Sequence, residues 1–413
     1  MTDGVCVIGA GAAGMTAAAA AARLGAAVTV YEKNRITGKK LRITGKGRCN
    51  VTNNCTPDEF IREVTKNGKF LYGAVNRFTP ADTVRLFESL GVALKTERGR
   101  RVFPESDKAA DIAAALEKNM LECGAEYICA EVKSVSLTED GDFAVRTPSG
   151  TKRYSAVIVA TGGASYPRTG STGDGYRIAR SFGLEVTDIT PSLVPVVTAE
   201  DTSPMMGLSL KNVVLTVTDG KKRVFAEQGE MMFTHFGVTG PLVLSASAHM
   251  RPDPSAFRME IDMKCALDEK TLDRRIASDL AKNSARDFIN SLGALLPSSI
   301  IGETVRRSGI EPHKKCSQIT REERAALAGV IKHFTLTPVK FRPIDEAIVT
   351  SGGVAVAELS PKTMMAKRVP GLFFAGEVID ADAYTGGYNL QIAFSTGEAA
   401  GTGAAGYVAE RSL

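Results

Sequence analysis

The sequence predicts an α/β fold in which both ends of the chain supply strand–glycine–helix units and the middle has a different texture. Three observations predict it. Near the N-terminus the apolar run Val5–Ile8 enters a glycine turn and an alanine-rich helical stretch. Near the C-terminus "LFFAGE", residues 372–377, leads through a second glycine turn into another helix. Between them, residues 193–263 carry short alternating strands, and 268–334 carry apolar residues at three- and four-residue spacing.

The N-terminal unit is the most specific. Gly9, Gly11 and Gly14, with Ala12 and Ala13 among them, form a G-x-G-x-x-G directly after the first strand. Gly9 permits the tight turn, Gly11 lets the backbone approach a pyrophosphate, and Gly14 lets the helix pack on the strand. The helix runs to Leu24 and stops at Gly25, a favoured residue just past a helix end. The stretch "AVTVYE" then predicts a strand ending at Glu32, whose carboxylate suits a ribose diol. Together these features point to a bound dinucleotide. An acid at position 32 would repel the 2′-phosphate of NADP.

The C-terminal unit repeats the logic. A buried strand ends at Gly376 and Glu377, Asp380 follows, and Gly386-Gly387 opens a helix beginning near Tyr388 and Asn389. A second such unit suits a long cofactor gripped at two ends. The later G-x-G-x-x-G at Gly401–Gly406 follows no strand, so no separate NAD(P) domain is expected.

The middle predicts a helix over 107–123 capped by Ser106, and then hairpins turning at Asp140-Gly141 and Ser149-Gly150. The run "AVIVATGG" is a buried strand ending at Thr161 and Gly162. A further turn is expected at Asp219-Gly220, and Thr320 with Glu323 forms a capping-box start.

Composition sets outer limits. A formal charge of +5 over 413 residues permits an anionic ligand without requiring nucleic acid. No basic n-region precedes the apolar N-terminus, and no clean apolar run reaches membrane-spanning length. The seven cysteines are odd in number and scattered, with no Cys-x-x-Cys and no zinc spacing. Reduced thiols, a cytoplasmic setting and no metal site are the expectations. The sequence does not set an oligomeric state.

The ordered motifs "GAGAAG…YEKN", "GKKLRITGKGRCNVTN", "VIVATGGASYPRTGSTGDGY", "GEMMFTHFGVTGP" and "LFFAGEVIDADAYTGGYNLQIAFSTG" carry a family resemblance over nearly the whole chain. The sequence resembles the HI0933-like family of bacterial flavoproteins, related to glutathione reductase and the fumarate reductase flavoprotein. The resemblance implies non-covalent FAD and a split Rossmann-like FAD-binding domain. It also implies an inserted β-barrel-like domain that itself carries a small helical domain. The expected boundaries are 1–190 with 345–413 for the FAD domain, 191–267 with 335–344 for the β-rich insert, and 268–334 for the helices. The implied activity is hydride transfer between FAD and a small organic substrate, with NAD(P)H as a transient reductant. Family members resemble amino-ketone oxidases and reductases of conjugated bile-acid enones. An alternative is a flavoprotein acting on RNA; nucleic acid is the less expected partner, because no basic, aromatic stacking platform is visible.

The site residues follow from the same motifs. Between Glu32 and Asp58 no acid occurs, while Lys33, Lys39, Lys40, Arg42, Lys46 and Arg48 do. The block reads either as a second clamp on the cofactor or as a solvated basic loop. In the first reading Arg48 supplies a forked contact and Lys40 a point charge, and Gly45 lets amides approach. Asn50 would reach the ribityl chain or the flavin edge. Cys49 and Cys55 lack the spacing of flavin disulfide reductases, so Cys49 is expected to be a small packed side chain near the cofactor. Val132 lies where such folds meet adenine, and Thr161 and Gly162 lie beside the FAD. Asp380 would accept from ribityl hydroxyls. The helix start at Gly387, Tyr388 and Asn389 would face the N1 and C2-carbonyl edge of the flavin. His235 is either a proton donor or a structural histidine. Arg101 and Phe103, in the basic stretch 98–109, either border the substrate or belong to a solvated loop.

Overall fold

Both chain ends enter one parallel sheet. In the computed structural model, which describes residues 4–411, its strand order is Leu372–Phe374, Ala156–Val159, Val5–Ile8, Val28–Glu32, Glu126–Cys129. All neighbours run parallel. The inner strands Val5–Ile8 and Ala156–Val159 are buried throughout, as the apolar runs require of a sheet covered on both faces. The helix Ala12–Arg23 packs on the long C-terminal helix Tyr388–Arg411. The approach is close: a Cβ on Gly397 would lie 2.5 Å from the Ala13 carbonyl oxygen, and one on Gly401 2.2 Å from that of Ala17.

The chain separates into two compact units, residues 1–192 with 344–413, and residues 193–343. The first also holds an antiparallel sheet, Ser134–Leu137, Phe143–Thr147 and Gly150–Tyr154, turning where Gly141 and Gly150 adopt positive φ. A smaller sheet pairs Thr52–Asn53, Arg101–Pro104 and Leu94–Glu97.

The second unit is built on a seven-stranded antiparallel sheet. Its two edge strands, Phe334–Leu336 and Pro338–Phe341, are consecutive in the chain, so the sheet curls back towards its own start. The helices Glu269–Lys282, Ser298–Ser308 and Arg321–Lys332 share one apolar core with this sheet: Leu272, Ile276 and Ile331 pack with Leu215, Met259 and Ile261. The Thr320–Glu323 capping box forms as the sequence requires.

Ser106 is a correction. The helix runs Ala109–Glu122 with Lys108 at its N-cap position. Ser106 Oγ accepts from the Lys108 amide and donates to Asp111, so it orders the approach to the helix rather than capping it.

Candidate functional site

The glycine loop sits at the carboxyl end of the parallel strands, where α/β sheets bind ligands. Each glycine has a distinct physical reason. At Gly9, φ is +104°, and a Cβ would lie 2.5 Å from the Ala160 carbonyl oxygen. At Gly14 a Cβ would lie 1.8 Å from the Gly9 carbonyl oxygen. Gly11 differs. Its backbone is extended, at φ −87° and ψ −172°, and a Cβ there would meet nothing within 4 Å. Neither conformation nor a protein neighbour demands glycine at 11, and open space lies in front of it. Gly11 is also the helix N-cap and makes no side-chain cap, which leaves first-turn amides for a ligand.

Glu32 braces the loop. Its Oε2 accepts from the Ala10 amide at 2.9 Å, and Oε1 accepts from the Asn34 amide and Nδ2. Oε2 retains a free lone pair. Around the same end, Thr37 Oγ1 and Thr161 Oγ1 are buried without a protein partner; so is Asn50 Oδ1, beside the Gly45 turn. Thr161 lies against Gly9, and the Gly38 amide after Thr37 donates to the Ala10 carbonyl. Unpartnered buried acceptors beside an open glycine cradle fit a polar, extended ligand.

The C-terminal unit closes on this loop. Gly376, at φ +77°, lies so near that its Cβ would be 2.8 Å from Ala13 Cβ. The Gly386-Gly387 turn opens the helix at Tyr388.

Several predicted site residues are turned to other partners. Lys40 pairs with Glu377 Oε2 at 2.6 Å and donates to Ser165 Oγ. Glu377 Oε1 in turn accepts from Ser165 and from the Thr350 amide. Two expected cofactor contacts are thus spent on each other. Lys33 pairs with Asp174 at 2.6 Å. Arg48 donates to Asp107 and Glu97 and stacks 4.3 Å from the Phe103 ring centre, so its fork is filled by carboxylates rather than open to phosphate. The hydrogen bond it donates to Glu97 leads in raising its guanidinium pKa. Asp380, expected to face ribityl hydroxyls, is buried and paired with Lys66 Nζ at 2.7 Å. Asn389 spends its amide on the Ala383 N–H and C=O, which pins the preceding loop instead of offering a donor to a ring. Gly387, at φ +96°, would place a Cβ 2.4 Å from the Thr52 carbonyl carbon. The turn alone is thus enough to require glycine there.

The other expected residues keep simpler settings. Gly45 and Gly162 adopt φ of +58° and +72° in tight turns. Val132 is buried in the core of the first unit. Tyr388 packs edge-on against Phe60, 5.6 Å between centroids, and burial pushes its phenol pKa up. Phe103 is 4% exposed beneath Arg48, while Arg101 is exposed and donates to the Arg98 carbonyl. His235 is exposed in the second unit, its ring edge-on to Phe236.

Cys49 is fully buried, in a left-handed backbone conformation, and burial pushes its thiol up to about 12. At neutral pH it is a thiol, the unreactive form. Iodoacetamide on the native protein is expected to label exposed Cys129 and spare Cys49, read by peptide mass spectrometry. Equal labelling of both would contradict this burial.

Ser165, Thr350, Lys66 and Asn67 escaped the sequence reading. Thr350 Oγ1 accepts from the Ala164 and Ser165 amides, and Asn67 Nδ2 donates to the Asp380 carbonyl. Only "TGGAS", where Ser165 follows two glycines, offered a local signal.

Comparison with known proteins shows the family and the fold. The family model described as HI0933-like protein Rossmann domain matches residues 3–403. A ribosomal RNA dihydrouridine synthase of Haemophilus influenzae is 32% identical, over 94% of this chain and 95% of its own. Its namesake in Escherichia coli is 31% identical over the same shares. A 3-dehydro-bile acid delta(4,6)-reductase of Clostridium scindens is 29% identical, over 97% and 98%. Among solved structures, a flavocytochrome c3 fumarate reductase superposes with TM-score 0.54 at 19% identity, covering 98% of this chain and 78% of that one. The 3-ketosteroid-delta4-(5alpha)-dehydrogenase of Rhodococcus jostii RHA1 gives 0.52 at 15%, over 97% and 96%. Among the described residues no helix is long and apolar enough to cross a membrane. The chain belongs to the HI0933-like family and has the fold of FAD-dependent oxidoreductases.

Proposed function

We propose that this chain binds FAD non-covalently and saturates a carbon–carbon double bond conjugated to a carbonyl, with a uracil ring of ribosomal RNA as substrate. One observation carries the reading. Relatives matched end to end are named for reducing either uridine in ribosomal RNA or a bile-acid enone, and both changes add hydrogen across a conjugated alkene. Bound FAD supplies the hydride chemistry, taking two electrons from a reductant and passing them to the alkene. NAD(P)H is the proposed reductant, acting transiently, since the sequence holds one dinucleotide fingerprint.

This chain's own groups bind and orient. The amides that follow Gly11 would seat the pyrophosphate, and the spare lone pair of Glu32 Oε2 a ribose hydroxyl. Thr37, Asn50 and Thr161 would gain the partners they lack. The first-turn amides at Gly387, Tyr388 and Asn389 would face the ring edge, where reduction places negative charge. The Tyr388 phenol, at the start of that helix, would be the proton source for the α carbon. A cytoplasmic location follows from a ribosomal substrate.

The second reading is a small conjugated enone, favoured by the bile-acid reductase, whose match spans nearly all of both chains. One experiment tests both. Flavin released by denaturation should be FAD. After anaerobic reduction with NADH or NADPH, the protein should form dihydrouridine in in vitro transcribed ribosomal RNA, detected by mass spectrometry. Reoxidation by a steroid enone and not by RNA would select the second reading. FMN, or no reaction with either acceptor, rejects the proposal.

A further inference from the structure

The basic stretch 98–109 is not absorbed by the cofactor site. Ion pairs neutralise part of its neighbourhood: Arg100 pairs with Glu59 at 2.9 Å, Lys95 with Asp107 at 2.8 Å, and Arg48 with Glu97 and Asp107. Arg98, Arg101 and Lys46 are exposed and have no carboxylate partner among the described residues.

The segments that carry these three cations meet around Phe103. Arg101 lies 5.8 Å from the Phe103 ring centre, and its Nε donates to the Arg98 carbonyl. Gly45, the neighbour of Lys46, would place a Cβ 3.7 Å from the same ring. Lys46 and Arg100 hold left-handed φ of +57° and +59°, conformations that cost non-glycine residues energy and persist where the surroundings impose them. The loop is also fixed to the glycine turn: Asn53 Nδ2 donates to the Gly99 carbonyl at 3.0 Å and to the Gly386 carbonyl at 3.3 Å. One side chain therefore ties the arginine loop to the turn that opens the C-terminal helix, and the Asn54 amide donates to Arg100 to complete the anchor.

We propose that Arg98, Arg101 and Lys46 form a phosphate-binding rim that holds an RNA backbone beside the flavin site while one base leaves its stack and enters. The inference rests on the ribosomal RNA reading above. Unneutralised guanidinium groups on a rigid loop suit phosphate, and phosphate contacts position a nucleic acid without reading its sequence. Chemistry on a base requires that base to be extruded, so the backbone on either side must be gripped.

The test uses the FAD-loaded protein and in vitro transcribed ribosomal RNA, with binding followed by fluorescence anisotropy across a salt series. Arg98→Gln/Arg101→Gln should keep wild-type FAD occupancy and melting temperature. It should bind roughly tenfold more weakly at low salt, with the slope of log K against log salt shallower by about 2. In dihydrouridine formation the loss should fall on KM rather than kcat. A Lys221→Gln/Lys222→Gln variant, altered at an exposed hairpin of the second unit, should keep the wild-type slope. A double arginine variant with wild-type affinity, slope and KM overturns the rim while leaving the RNA reading intact. A wild-type protein that neither binds nor reduces ribosomal RNA overturns both. Displacement of the RNA by polyglutamate at equal charge concentration would instead assign the rim to an acidic protein, and overturn the proposal.

Discussion

Gly11→Val is expected to fold and to lose its flavin. Valine accepts the extended backbone at this position, and its Cβ enters open space. The side chain would then fill the cradle in front of the helix amides and hold a pyrophosphate away from them. FAD affinity should fall about a hundredfold or more, equivalent to roughly 2.7 kcal/mol. The measurement is the ratio of flavin to protein absorbance after purification, alongside a melting curve matching that of wild-type protein stripped of FAD. The comparison variant is Gly14→Val, whose side chain would collide with the Gly9 carbonyl and should not fold. Full flavin occupancy in Gly11→Val would show that the cradle is not where the cofactor lies.

Gly401→Val is expected to dismantle the first unit. The helix Ala12–Arg23 is two-thirds alanine, and it meets the C-terminal helix through Gly397 and Gly401. A Cβ at 401 would lie 2.2 Å from the Ala17 carbonyl oxygen and 2.8 Å from Ala20 Cβ. Its neighbours are backbone and a Cβ fixed to it, so no rotamer change relieves the overlap, and the helices must separate. The cost should be about 3 kcal/mol or more. For a unit of this size that corresponds to a drop in melting temperature of roughly 6–12 °C. The helix beginning at Tyr388 carries the C-terminal turn, so FAD retention should fall with it. Calorimetry and flavin content of the variant read both effects. A wild-type melting temperature would mean that the two helices do not pack through these glycines.

These two glycines mark the boundary between what was legible in the sequence and what was not. Gly11 was readable because its meaning is local: strand, turn, helix and acid follow one another within a few dozen residues. The same holds for the Thr320–Glu323 capping box and for the turns at Asp140-Gly141 and Asp219-Gly220. Gly401 reads in the sequence only as a weak spot in a helix. Its purpose is an approach to Ala17 from the far end of the chain.

The side chains of the site divide in the same way. The sequence by itself determined the α/β class and the two-ended glycine architecture. Only the tertiary structure decided what their charged groups touch. Lys40 finds Glu377 across 337 positions, Arg48 finds Glu97 and Asp107, Lys66 takes Asp380, and Asn389 turns to its own backbone at Ala383. The physical reason is range. Backbone conformation and apolar burial follow periodicities of two or 3.6 residues, which a chain displays in order. A buried or half-buried charge takes whichever opposite charge the fold brings within a few ångströms, and sequence separation carries no trace of that choice.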